Sequence, residues 1–171
     1  MEVCNGSHNP EYTQVVGIRN SHDKRFAAGL VAGAMVMVCS NLAFSGEIQI
    51  GRKHTRHIGD ELPFLIRGAI GQLVSAWDVQ DRRIDAYKNT SICDAVAHDL
   101  IIHAMDDGVC APSRIPRVLE GWRRPQHAAF EDRNCWSLFN AFTETMKGHL
   151  HMLPARSGRL HELMDAHCGV N

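Results

Sequence analysis

The spacing of apolar residues changes once along this chain, near residue 58, and this change limits the folds that the chain can adopt. Before residue 58, glycine and β-branched residues prevail in three runs, at 12–18, 29–39 and 47–50. After it, apolar residues recur with the 3.6-residue period of amphipathic helices. Strands that all precede the helices are typical of an α+β fold rather than a doubly wound sheet. We therefore expect a small antiparallel N-terminal sheet followed by about five α-helices.

The first helix is predicted from a long apolar stripe that begins just after residue 58. Asp60 is its expected N-cap, and Pro63 is compatible with a helix only in the first turn. The middle β run contains Gly29 and Gly33, and glycine inside a strand often marks a bulge. The stripe of the first helix comprises Leu62, Ile66, Ala69, Leu73, Trp77, Ile84 and Tyr87.

The second helix is expected to begin after Ser91, a plausible N-cap, and to stop at Gly108. Each later helix is bounded by proline, glycine or a polar residue that commonly ends helices. We expect Trp136 to pack in the core, because it shares its helix with an apolar face. The remaining predicted helices lie at 115–122, 134–147 and about 154–169.

Length and composition indicate one domain, with a β-rich part at 1–57 and a helical part at 58–171. Hydrophobic residues make up 44% and charged residues 22%, which is ordinary for a globular protein. No apolar run approaches the roughly 20 residues that cross a bilayer, and the N-terminus lacks the pattern of a signal peptide. We expect a cytoplasmic protein with no membrane contact and with its six cysteines reduced.

The stretch GIRNSHDKRF at 17–26 places polar residues between two apolar runs. Asn, Ser and Asp side chains bond to their own backbone, so the stretch predicts the tip of a β-hairpin around 19–26. A functional alternative makes His22 and Asp23 ligands of a divalent metal, together with His54 and His57 from the next loop. Loop position is the only feature that favours this metal site. The turn is therefore our prediction.

Signatures of catalysis are lacking elsewhere in the sequence. It has no C-x-x-C pair and no H-E-x-x-H, G-x-S-x-G, P-loop or G-x-G-x-x-G motif. We expect its eleven histidines mostly at the surface or the edge of the core. Cys39 is a candidate thiol, but no positive neighbour follows it in sequence, so a buried structural cysteine is favoured. We expect no cofactor, and the sequence favours a protein that is not an enzyme without deciding the question.

Basic clusters are the stronger functional signal. Net charge is only −1, so any contact with nucleic acid depends on local patches. In the cluster at 114–124, arginines surround Trp122, and arginine beside an aromatic ring suits a single strand whose bases stack. The alternative is a set of solvated faces balanced by nearby acids. The residues predicted to bind nucleic acid are Lys24, Arg25, Arg52, Lys53, Arg56, Arg114, Arg117, Trp122, Arg123 and Arg124.

Four segments have unusual sequences: GIRNSHDK (17–24), VCSNLAFSGE (38–47), RKHTRHI (52–58) and DRNCWSLFNAFTETMKG (132–148). In these segments the chain resembles the phage- and plasmid-borne family called domain of unknown function 932. The resemblance implies a phage or mobile-element protein, in the cytoplasm of a bacterial host, whose family has no established biochemical role. Family members usually carry further α/β sequence before GIRNSHDK. We therefore expect a short form whose sheet has a free edge.

Two functions of different classes remain open at this point. The first is a phage or mobile-element accessory protein that binds single-stranded DNA in recombination or replication. The second is an inhibitor that binds a protein of a host defence system through the sheet edge and the long helix. A metal-dependent enzyme that uses His22, Asp23, His54 and His57 is a distant third. The free sheet edge is also compatible with a homo-oligomer.

Overall fold

A computed structural model describes residues 11–19, 29–49, 58–147 and 153–170. The predicted hairpin tip and the segment RKHTRHI lie outside these residues. Within them, three strands precede five α-helices, which confirms the expected α+β class. No helix in the described part of the chain is both long and apolar enough to span a membrane.

The sheet consists of β1 (Tyr12–Arg19), β2 (Gly29–Val36) and β3 (Leu42–Gln49) in the order β1-β2-β3, with both pairs antiparallel. β1 and β2 pair along their whole length, so the predicted hairpin pairing is confirmed. The register of β2 with β3 shifts between Val31 and Gly33, as the glycine in this strand predicted. β2 ends earlier than expected, and Cys39 lies in the turn that follows it.

Two expectations about helix starts are wrong. α1 begins at Ile58, so Asp60 lies inside the helix, and Pro63 lies in the second turn rather than the first. Ser91 does not cap α2 but pairs with Asn134 in an isolated β-bridge. Cys93 takes the N-cap position without a side-chain cap bond. The five helices are α1 (Ile58–Asn89), α2 (Asp94–Asp106), α3 (Ile115–Arg123), α4 (Cys135–Met146) and α5 (Leu153–Cys168).

The core lies where α4 meets the C-terminal half of α1, with α3 and α5 packed beside them. Nearly every residue of α4 is buried, because its neighbours cover it on several sides. Trp136 and Trp77 are buried, as expected. Both α1 and α5 contact the sheet, and the Tyr12 hydroxyl donates a hydrogen bond to Asp81 Oδ1 of α1 (2.9 Å).

The N-terminal half of α1 carries large apolar side chains in solvent. Phe64 is 79% exposed and Ile70 is 54% exposed. They lie far along the helix from Ile84 and Tyr87, which are fully buried against α4 and α5. Among the side chains of α1 that the structure describes, the buried ones all lie in its C-terminal half, at Trp77, Gln80, Ile84 and Tyr87.

Candidate nucleic-acid interface

α3 is a short amphipathic helix that presents its basic side chains to solvent. Pro116 lies in its first turn, where backbone N–H groups make no intrahelical hydrogen bond, so a residue without an N–H is tolerated. Val118 and Trp122 are four residues apart and both are buried, which fixes the inward face. Arg117 and Arg123 are consequently exposed.

The exposed arginines of this region form only weak ion pairs. The guanidinium of Arg117 lies 4.0 Å from Glu144, whose carboxylate is already paired with Lys147 at 2.5 Å. Arg124 lies 3.7 Å from Glu120, and both of these side chains are largely exposed. Exposed pairs contribute between zero and about 1 kcal/mol. Either arginine can therefore exchange its carboxylate for a phosphate at little cost.

Trp122 does not fit the stacking role that the sequence predicted. Its ring is only 2% exposed, and its Nε1–H donates to Asp94 Oδ1 (2.9 Å). The guanidinium of Arg133 lies 4.7 Å from the ring centroid and donates to the Trp122 carbonyl oxygen (3.0 Å). A base cannot reach a ring that is enclosed in this way. Trp122 therefore anchors α3 to α2 instead.

The other arginines predicted near Trp122 have separate positions. Arg123 turns towards α2, where its Nη2 lies 3.2 Å from His98 Nε2. Arg114 is half-buried at the N-cap of α3. Arg117 and Arg124 both line one pocket.

This pocket lies between the β2–β3 turn, α3 and α4, and encloses about 90 Å³. Gly121 of α3 and Ala141 of α4 are among its lining residues. A Cβ atom at Gly121 would lie 3.3 Å from the Ala141 Cβ, so the glycine permits close approach of the two helices. Phe130 adds an aromatic surface, and Arg117 and Arg124 add positive charge.

The β2–β3 turn holds Asn41 in the wall of the pocket. Ser40 adopts a left-handed conformation with φ of 56°, which is uncommon for a residue other than glycine. Lys147 Nζ donates to the Cys39 carbonyl oxygen (2.7 Å) and ties the turn to the end of α4. Asn41 is 1% exposed, and its Nδ2 donates to the Asn140 carbonyl oxygen (3.2 Å). Its Oδ1 accepts no hydrogen bond from any residue that the structure describes.

Cys39 lines the same pocket, but its environment does not activate it. Burial raises the pKa of its thiol above the ordinary value, and the nearby Lys147 opposes this only in part. A thiol with a raised pKa is a poor nucleophile at neutral pH. This agrees with the structural role that the sequence favoured.

The more acidic thiol is Cys168, which the sequence gave no reason to select. The thiol of Cys135 donates a hydrogen bond to the Cys168 sulfur, and this bond lowers the pKa of Cys168 below its ordinary value despite partial burial. The same contact raises the pKa of Cys135, the donor. The two residues are 33 positions apart in sequence, at the start of α4 and the end of α5, so only the tertiary fold brings them together.

A buried polar network joins α1 to α5 and was likewise missed. Tyr87 donates its hydroxyl proton to Asp165 Oδ1 (2.5 Å), and Arg83 Nε donates to Asp165 Oδ2 (2.8 Å). Because a phenol has one proton, the Tyr87 oxygen accepts from His161 Nδ1–H (3.0 Å). His161 is 1% exposed, which contradicts the expectation of surface histidines in this case.

The neutral form of His161 is strongly favoured inside this network. Its Nε2 has no hydrogen-bond partner among the described residues, so a second ring proton there would be buried without an acceptor. Burial first, and the positive charge of Arg83 second, lower the pKa of His161 to about 3. The hydrogen bonds of Tyr87 to His161 and Asp165 connect α1 to α5.

The remaining predicted site residues lie outside the described part of the chain, and their predictions stay untested. Among residues that the structure does describe, no group of three or more His, Cys, Asp or Glu side chains could hold a metal ion. The predicted site residues outside the described ranges are Lys24, Arg25, Arg52, Lys53 and Arg56 of the basic patches and His22, Asp23, His54 and His57 of the metal alternative.

The fold and this surface define an α+β protein with a basic helix beside a small, mainly apolar pocket. The family model described as "Domain of unknown function (DUF932)" matches residues 4–165, and the chain therefore belongs to this family. Comparison with curated proteins and with solved structures finds no match. The family resemblance of the four sequence segments is thereby confirmed.

Proposed function

We propose that this protein binds single-stranded nucleic acid with the surface formed by α3 and the β2–β3 turn, as an accessory protein of phage or mobile-element recombination or replication. The observation that carries the proposal is the pair Arg117 and Arg124, which are both exposed and both line one pocket. They are seven residues apart, which corresponds to about 10 Å along a helix. This spacing allows each arginine to contact a different phosphate of one extended strand.

The weak ion pairs of these arginines support the same proposal. Glu120 and Glu144 are exposed or half-exposed partners at 3.7 and 4.0 Å, and neither holds its arginine in a buried bond. A charge-assisted bond from arginine to phosphate is stronger than such a surface pair. Displacement of the carboxylates by a strand is therefore favourable, and release of counterions from the strand adds to it.

Fluorescence anisotropy of a labelled single-stranded oligonucleotide tests the proposal. The wild-type protein is expected to bind at low salt and to bind less tightly as salt rises. Arg117→Ala/Arg124→Ala is expected to lower the affinity at least tenfold, since each lost contact to a charged group is worth about 1.5–3 kcal/mol before screening.

The matched control is Arg67→Ala/Arg82→Ala, which removes the same charge from exposed positions of α1. It is expected to keep the affinity within about twofold of wild type. Equal losses in the two double variants would show that net charge, not this surface, determines binding. Absence of binding by the wild type at low salt would refute the proposed function.

A second candidate function, inhibition of a host defence protein through a protein interface, is favoured by one separate observation. Phe64 and Ile70 expose large apolar side chains on the N-terminal half of α1, and exposed apolar side chains are characteristic of protein contact sites. Phe64→Ser/Ile70→Ser is expected to abolish capture of such a partner and to leave strand binding unchanged. Retained capture by this variant would contradict the second candidate.

A further inference from the structure

We propose that Cys135 and Cys168 form a site of reversible oxidation, at which a peroxide converts the two thiols into a disulfide that joins the start of α4 to the end of α5. Every cysteine that the structure describes is a free thiol, so the structure represents the reduced form. This oxidation does not depend on nucleic-acid binding, because it requires only that the two thiols meet in the folded chain.

The two sulfur atoms are already in contact in the reduced protein. The Cys135 thiol donates a hydrogen bond to the Cys168 sulfur. Thr90, which directly follows α1, contacts both residues. Its carbonyl oxygen accepts from the Cys135 backbone N–H (3.0 Å), and its side chain forms a hydrogen bond with the Cys168 sulfur. A disulfide holds its sulfurs about 2.05 Å apart, so only a short movement separates this contact from a covalent bond.

The last turn of α5 is the element that can supply this movement. Cys168 is the final residue of α5, and Gly169 after it leaves the helix with φ of 67°. Cys135, in contrast, is fully buried in the first turn of α4, which Asn134 caps. Helix ends open locally more readily than buried elements do. We therefore expect Cys168 to move towards Cys135 rather than the reverse.

Exposure and acidity determine which thiol a peroxide oxidises first. Cys168 is half-buried, whereas Cys135 is closed to solvent. The hydrogen bond from Cys135 also lowers the pKa of Cys168 and so increases its fraction of thiolate, the form that attacks peroxides. Burial raises the pKa of Cys39 and Cys110, so their thiols stay protonated at neutral pH. Cys168 is the expected point of attack.

The reaction has two steps and uses one peroxide. In the first, the Cys168 thiolate attacks an oxygen of hydrogen peroxide, so that an S–O bond forms and the O–O bond breaks. The departing hydroxide takes up the proton that Cys168 released. In the second, the Cys135 sulfur attacks the sulfenic sulfur of Cys168, an S–S bond forms, and the hydroxyl group leaves as water with the Cys135 proton. The two sulfurs lose two electrons, which reduce both peroxide oxygens to water.

Peptide mapping of oxidised protein tests the site. Trypsin places the two cysteines in separate peptides, 134–147 and 160–171, and neither peptide contains another cysteine. Folded wild-type protein is treated with a small excess of hydrogen peroxide at pH 7, and the remaining thiols are blocked with iodoacetamide. Mass spectrometry is expected to find the two peptides linked in most molecules, two hydrogen atoms lighter than their sum. Dithiothreitol should restore the separate peptides.

Cys135→Ser separates the first step from the second. Without the second thiol, the sulfenic acid of Cys168 persists, and dimedone, which labels sulfenic acids, is expected to modify peptide 160–171 several fold more than in wild type. Cys93→Ser removes a thiol from an exposed position and is the matched control. It should form the linked pair to the same extent as wild type.

Each outcome decides one part of the inference. Absence of the linked peptides in folded wild-type protein overturns the oxidation site, and this result needs no variant, so it holds even if Cys135→Ser does not fold. An equal yield of the linked pair from urea-unfolded protein would show that the fold does not direct it. Dimedone on peptide 134–147 of wild type, in place of peptide 160–171, would overturn the assignment of Cys168 as the first thiol to react.

Discussion

Trp122 shows how one residue can change role between sequence and structure. Arginines surround it in sequence, which is typical of a stacking platform. In the folded chain, however, the ring is covered by Arg133 and bonded to Asp94. Cation–π contact and an indole hydrogen bond are also ways of holding an element in place. Arg133 and Asp94, rather than the arginines close to Trp122 in sequence, therefore stabilise the docking of α3.

Trp122→Phe separates these roles. The variant keeps an aromatic ring but loses the bond from Nε1 to Asp94. We expect the free energy of unfolding, measured by urea denaturation, to fall by about 1 kcal/mol. Affinity for a single strand should stay within about twofold of wild type. A large loss of affinity with unchanged stability would restore the stacking role.

His161 makes stability depend on pH, and the direction follows from its lowered pKa. The folded protein holds His161 neutral down to a pKa of about 3, whereas an unfolded histidine titrates near 6.5. Between these values the unfolded state binds more protons, so stability is lost as pH falls. From pH 7 to pH 5 the loss from this residue is about 2 kcal/mol.

Urea denaturation at pH 7 and pH 5 measures this loss. His161→Phe removes the titrating ring, so its difference in unfolding free energy between the two pH values should be smaller than that of wild type by about 2 kcal/mol. His103→Gln, at an exposed position of α2, is the control and should keep most of the wild-type difference. An unchanged difference in His161→Phe would contradict the buried neutral state.

Cys168 is expected to react with iodoacetamide at lower pH than an ordinary thiol, because Cys135 donates a hydrogen bond to its sulfur. Cys135→Ala removes the donor and should raise the pH midpoint of Cys168 alkylation, followed by mass spectrometry of its peptide. Cys135→Ser keeps a donor and should retain most of the shift. Identical midpoints in the two variants would show that the contact does not lower the pKa.

At the scale of elements, Asn134 connects the start of α4 to the end of α1. Its Oδ1 accepts from the Ser137 backbone N–H (2.9 Å), which makes it the N-cap of α4. Its Nδ2 donates to the Lys88 carbonyl oxygen (3.2 Å), and its backbone pairs with Ser91. One side chain thus satisfies backbone groups at the ends of two helices.

The two bonds of Asn134 can be separated by substitution. Asn134→Ala loses both, and urea denaturation should show a loss of about 2 kcal/mol, roughly 1 for the cap and 1 for the bond to Lys88. Asn134→Ser keeps a cap acceptor and should lose about half as much. Equal losses in both variants would mean that the cap contributes nothing.

Helices and strands were predicted correctly from the sequence where residues close together in the chain determine the local structure. The bulge near Gly33 and the bounds of α3 follow from glycine, proline and apolar spacing. Helix starts were less predictable. α1 begins two residues before Asp60 and includes Pro63, although an interior proline cannot donate a backbone hydrogen bond. Ser91 does not cap α2, because its backbone pairs in a β-bridge with Asn134, a residue 43 positions away in sequence.

At the scale of the whole molecule, a net charge of −1 means that strand binding must come from a local surface. For a single strand, the logarithm of the association constant falls by about 0.7 per unit rise in the logarithm of the salt concentration, for each phosphate contacted. Arg117→Ala/Arg124→Ala should therefore reduce the slope by about 1.4. Arg67→Ala/Arg82→Ala should not change it. Equal slopes in both would place the phosphate contacts elsewhere in the chain.

The sequence alone determined the α+β class, the order of strands and helices, the family and the exposed arginines of α3. These depend on periodicity, on turn residues and on local motifs, all of which act over a few positions. Only the tertiary structure enclosed Trp122, joined Cys135 to Cys168, and placed Asn41 between α3 and α4. Burial and contact between distant residues arise when whole elements pack, and no local pattern records which side chains that packing brings together.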